Sequence, residues 1–134
     1  MKSFSNEMSE RFMGFVVKII AIENELCKTY SGRHIYGQLF RSGTSTGANF
    51  EEARSGESKA DFIHKLQIVL KELRESHYWI QLIIAAQFIP ARLETLKSLS
   101  AETKELANIT AKSIVTAKLK SSNEPIHPKP ASSL

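Results

Sequence analysis

Residues 38–79 read QLFRSGTSTGANFEEARSGESKADFIHKLQIVLKELRESHYW, and this stretch decides the fold. In its second part, Phe62, Leu66, Val69, Leu73, Ser76, Ile80 and Ile83 recur at alternating steps of four and three. That is the seam of a helix packed on other helices. Ile63, Leu70, His77 and Ile84 widen the stripe. Ser58 and Asp61 have capping-box-like spacing at its start, with a shorter acid than the usual Glu. Asp61 also favours the positive end of the helix dipole. Asp61–Lys65 and Lys71–Glu75 have the spacing of i,i+4 ion pairs.

The first part, residues 42–48, is a run of small residues. A phosphate-cradling loop would need a preceding strand and a following Lys-Ser/Thr, whereas Ala48 and Asn49 follow Gly47. A helix fits better, because Leu39, Gly43, Thr46, Phe50 and Ala53 again alternate four and three. Gly43 and Gly47 then share one face and admit a close neighbour. Each costs about 1 kcal/mol of helix propensity, which packing must offset.

The segments RSGTSTGANFEEA and SKADFIHKLQIVLKELRESHYW, followed by KELANITAKSIVTAK, resemble the 23S rRNA intervening-sequence protein family of small bacterial four-helix bundles. The likeness spans about residues 8–120. Thr46 departs from it, since the family more often has an aliphatic residue there. The resemblance implies a left-handed bundle that assembles as a homopentamer, with no established enzymatic activity. It is similar also to bundles that serve reverse transcriptases of diversity-generating retroelements as accessory subunits.

Outward from this centre, the expectation is an all-α, antiparallel up-down four-helix bundle over residues 1–120 and a mobile Pro/Ser-rich tail over 121–134. The first helix is expected over 6–28, capped by Ser5 or Asn6, with Met8, Phe12, Phe15, Ile19, Ile22 and Leu26 as its stripe. A turn follows at 29–33. Tyr36 and Phe40 open the second helix, which ends near Arg54 before Ser55-Gly56. The third runs from Lys59 to about Gln87. Pro90 fits the first position of the fourth. Ile89, Leu93, Leu96, Leu99, Leu106 and Ile109 carry that pattern, which weakens at 100–103, where a kink or restart fits.

The chain has 134 residues, 42% hydrophobic and 24% charged, which suits one soluble domain. A net charge of +4 permits an acidic partner such as RNA or DNA without demanding one. The single cysteine, Cys27, cannot form an internal disulfide, which fits a reducing cytoplasm. It reads as a small buried hydrophobe. No apolar run is long enough to cross a membrane, and the N-terminus lacks the apolar core of a signal peptide.

No constellation points to catalysis, and no cofactor or metal is expected. A bundle di-metal site needs two Glu-x-x-His pairs. Asp61–His64 and Glu124–His127 approach that spacing, but the second pair lies in the tail. His77 reads as a hydrogen-bonded core histidine. The functional expectation is a non-enzymatic, self-associating scaffold that binds nucleic acid. Arg41, Arg54, Lys59, Lys65, Arg74, Lys112, Lys118 and Lys120 are the candidate contacts. The three lysines near the end of the fourth helix suit either a solvated helix C-terminus or a phosphate-contacting patch. Ile68, Glu72, Glu75, Trp79 and Leu82 fall on a second face of the third helix and are the candidate subunit interface. The alternative is an adaptor for a larger protein partner.

Overall fold

The computed structural model describes residues 2–123. The elements are α1 (Phe4–Ile20), the single turn α2 (Glu23–Leu26), α3 (Tyr30–Arg54), α4 (Lys59–Ala85) and α5 (Leu93–Asn123). A 3-10 turn, Pro90–Arg92, leads into α5. The described residues contain no strand. α3 packs between α1 and α4, and α4 between α3 and α5, while α1 and α5 share a much smaller contact. Contacts between elements fix their direction. Asn6 and Ser9 of α1 meet Arg54 and Glu51 of α3, and Ile19 lies against Gly43. Ser42 meets Ser76, and Lys65 meets Glu52. Neighbours therefore run antiparallel, as the up-down bundle requires.

The seams read from the sequence form the core. Leu39, Gly43, Thr46, Phe50 and Ala53 are buried on α3, as are Leu66, Val69, Leu73, Ser76, Ile80 and Ile83 on α4. Phe12 and Phe50 pack with ring centroids 4.9 Å apart. Ser42 and Ser76 are both fully buried, and their hydroxyls share a 2.8 Å hydrogen bond, so a polar pair crosses the α3–α4 seam without an orphan. Gly43 serves the close approach expected of it, although the neighbour is α1 of the same chain. A Cβ there would lie 2.5 Å from Ile19 Cδ1.

Several boundaries differ from expectation. The first helix does not run unbroken over 6–28, because Ile22 leaves helical geometry (φ −97°, ψ 2°) and α2 restarts one residue later. The break still delivers Ile22 and Leu26 to the core. The cap of α1 is Ser3, which accepts from the Asn6 N–H at 3.1 Å, rather than Ser5 or Asn6. Ser5 is buried instead. The expected turn at 29–33 is the first turn of α3, so that helix starts six residues before Tyr36. Thr29 caps it by accepting from the Gly32 N–H at 3.0 Å. α4 ends at Ala85, and Gln87 reverses the chain in the left-handed region (φ 54°). Pro90 opens the 3-10 turn rather than the fourth helix itself.

α5 shows no restart at 100–103. The pattern weakens there because Ser100 and Thr103 are buried polar residues with partners. Thr103 donates to the Leu99 carbonyl at 2.7 Å, and Ser100 meets His77 and Gln81. α5 continues to Asn123, three residues into the expected tail, and residues 124–134 lie outside the described residues.

Candidate nucleic-acid interface

The structure divides the eight candidate cations into two groups. Four belong to α3 and the start of α4. Arg41 bridges two carboxylates of α4, Glu72 at 3.2 Å and Glu75. Glu75 also accepts from the Trp79 indole N–H at 3.0 Å. Arg54 meets Glu51 at 3.1 Å and the Asn6 amide oxygen at 2.5 Å. Lys65 faces Glu52 at 3.5 Å rather than its expected partner Asp61, and Lys59 is buried. This group is drawn into the chain's own contacts and offers little open positive surface.

The other four are exposed. Arg74 lies on the outer side of α4, and Lys112, Lys118 and Lys120 lie on α5. Among the described residues none of the four has a carboxylate within ion-pair distance. The register brings in a further cation that the sequence reading passed over. His77 Nε2 lies 3.1 Å from Ser100 Oγ, which fixes the level of α4 against α5. One turn from each of these, Arg74 and Lys104 share a level. Lys104 is close enough to His77 to help lower its pKa. Its signal was in the sequence, since Lys97, Lys104 and Lys118 are separated by multiples of seven and fall near one row of α5. Of the acids of α5, Glu102 and Glu105 turn to Arg11 of α1, at 2.6 and 3.4 Å, while Glu94 pairs with Lys97 at the start of the row, at 3.9 Å.

The residues expected at a subunit interface also have partners inside the chain. Glu72 is buried beside Arg41. Trp79 and Leu82 are half-buried and pack against the core, and Ile68 is half-buried. Large aliphatic side chains are exposed on α5, at Val115 (56% exposed) and Leu119 (61%), and on α1, at Met13 (68%), Val17 (57%) and Ile20 (47%). The three on α1 form a group of their own. Their spacing puts them on one outer stripe of that helix.

The matching segment of the 23S rRNA-intervening sequence protein family spans residues 5–112, most of the bundle just described. This chain belongs to that family. A solved structure similar to it is a protein of unknown function from the S23 ribosomal protein family of Bacteroides thetaiotaomicron. The two share 34% identity, and the alignment covers 80% of this chain and 97% of the other, with a TM-score of 0.73. No curated protein matches.

In this 23S rRNA-intervening sequence protein, Lys118 and Lys120 extend the α5 surface beyond the family match. Among the described residues, no group of His, Cys, Asp and Glu could hold a metal ion, and no helix is long and apolar enough to cross a membrane. Cys27 is half-buried, and desolvation pushes its thiol pKa up, which disfavours the reactive thiolate.

The node under the lysine row holds a titratable group, His77. Gln81 donates to Ser100 Oγ at 2.8 Å, which leaves the Ser100 hydroxyl hydrogen for an unprotonated His77 Nε2. Desolvation first, then Lys104, lowers the His77 pKa below its ordinary 6.5. The folded state therefore binds this proton less readily than the unfolded chain. The contribution of His77 to stability is fully present above pH 6.5 and is lost as pH falls through the lowered folded value. Urea midpoints should drop as pH falls below 6.5. His77→Gln should remove part of that slope, and an unchanged slope would place the titration elsewhere.

Proposed function

We propose that this family member is a non-enzymatic, self-associating scaffold that binds nucleic acid through the outer α4–α5 surface. The observation that carries this reading is the separation of charge: Glu102 and Glu105 of α5 pair toward α1 and Glu94 pairs with Lys97, while Arg74, Lys104, Lys112 and Lys118 stay exposed with no carboxylate in ion-pair distance among the described residues. Clustered cations of this kind neutralise phosphates and release counterions. The test is a low-salt gel shift on RNA and DNA, repeated as salt rises. Affinity is expected to fall steeply with salt. Arg74→Glu combined with Lys112→Glu should weaken it at least about tenfold, while Arg41→Gln should change it little. No shift at low salt would remove the reading.

A second reading, a protein-interaction adaptor, draws support from the exposed α1 stripe of Met13, Val17 and Ile20. Patches of this kind mark association surfaces. Stoichiometric recovery of one other protein without nucleic acid in a native pull-down, together with a negative gel shift, would favour it.

A further inference from the structure

We propose that the ligand of the α5 surface is the backbone of a double helix rather than a single strand. This inference rests on the nucleic-acid reading above and narrows it. The first observation is the shape of the cationic row. α5 is one unbroken helix over Leu93–Asn123. At about 1.5 Å per residue, Lys97 and Lys118 are roughly 31 Å apart along it. That is close to one turn of a duplex, roughly 34 Å. Lys104 lies between them, with Lys112 beside the row. A straight rod of this length can reach the backbone of a straight duplex near both ends of one turn. A flexible single strand gains nothing from that spacing.

The second observation is the absence of a stacking surface. α5 contains no Phe, Tyr or Trp. The exposed large aromatics are Phe4, Tyr30, Phe40 and Tyr78, of which only Tyr78 belongs to α4. Proteins that hold single strands draw about 1–3 kcal/mol per base from aromatic stacking, and α5 offers none of it. Between the lysines, the exposed residues include the uncharged Ala101, Asn108 and Val115, while the exposed Glu105 is paired with Arg11 of α1. The surface can therefore lie close to a duplex, with phosphates as its only charged targets. Recognition of that kind follows shape and charge and is indifferent to base sequence.

The experiment is fluorescence anisotropy on the full chain, with RNA and DNA duplexes of about two turns (roughly 20 base pairs) and each of their single strands. Duplexes should bind at least about tenfold more tightly than their strands, with little dependence on base sequence. Lys104→Glu with Lys118→Glu should cost duplex affinity at least about tenfold and reduce the salt slope by about 2. Both positions are exposed, and circular dichroism would confirm that the variant folds. Single strands binding as tightly as duplexes would overturn the duplex inference and leave the nucleic-acid reading standing. Duplex binding untouched by the double reversal would move the site off α5 and overturn the inference too. No binding of either form at low salt would overturn the underlying reading.

Discussion

Gly32→Ala is expected to destabilise the bundle by about 3 kcal/mol, the upper end of the usual cost of overpacking. Gly32 is buried in the first turn of α3, and a Cβ there would lie 2.0 Å from the Leu26 carbonyl oxygen and 3.1 Å from Thr29 Oγ1. The first obstacle is backbone, which cannot rotate away, and the second is the oxygen that caps α3. Relief requires the end of α2 to move away from α3, which disturbs Leu26, 2% exposed in the core. The helix-propensity gain of about 1 kcal/mol opposes this loss but is smaller. Two other glycines serve as controls. A Cβ at Gly37 meets nothing within 4 Å, so Gly37→Ala should stabilise by about 1 kcal/mol. At Gly43 the obstacle is the tip of the Ile19 side chain, so Gly43→Ala should fall between the other two. Urea midpoints measured on the three variants test the order. A Gly32→Ala midpoint at or above wild type would show that the α2–α3 turn yields freely.

The same glycine shows where sequence reading stops. Periodicity reports which residues face inward, and it placed the stripes of α3 and α4 because each rests on a run of apolar and small residues at helical spacing. Local chemistry found the Ser58 cap for the same reason: donor and acceptor are three residues apart, with Ser58 Oγ 3.1 Å from the Asp61 nitrogen. Ser31-Gly32 looks like a turn because glycine breaks helices locally. In the fold, Gly32 is there for the close passage of Leu26, six residues earlier, which spacing does not encode. The break at Ile22 was hidden likewise, since Ile22 and Leu26 stay in the core on both sides of it. Among the candidate site residues, exposure and helical row could be read for Lys112 and Lys118. The capture of Arg41 by Glu72 and Glu75, 31 and 34 residues away, could not. Long-range ion pairs decide which cations remain open, and they depend on the rotation of each helix within the bundle.

Val17→Glu is expected to reduce the assembled protein to its 15.0 kDa chain, and Trp79→Glu to do the same by a different route. A ring of more than two subunits, as the family resemblance implies, is held by a head-to-tail contact between two different patches. On that assembly reading, we assign one of them to the α1 stripe of Met13, Val17 and Ile20. The second is the α4 face of Ile68, Glu72, Glu75, Trp79 and Leu82, where apolar area remains beside a locked ion-pair cluster. Burying the α1 stripe contributes several kcal/mol at about 25 cal/mol per Å² of apolar surface, and a buried, unpaired carboxylate offsets most of it. Light scattering after size exclusion reads the masses, and circular dichroism confirms that each variant folds. The decisive sample is the mixture. The Val17→Glu chain keeps an intact α4 face, and the Trp79→Glu chain keeps an intact α1 stripe. Head-to-tail pairing therefore predicts a one-to-one complex of twice the chain mass, with no further growth. An isologous dimer, in which one patch meets itself, predicts no such rescue. A wild-type protein that elutes as a monomer would sink the assembly reading altogether.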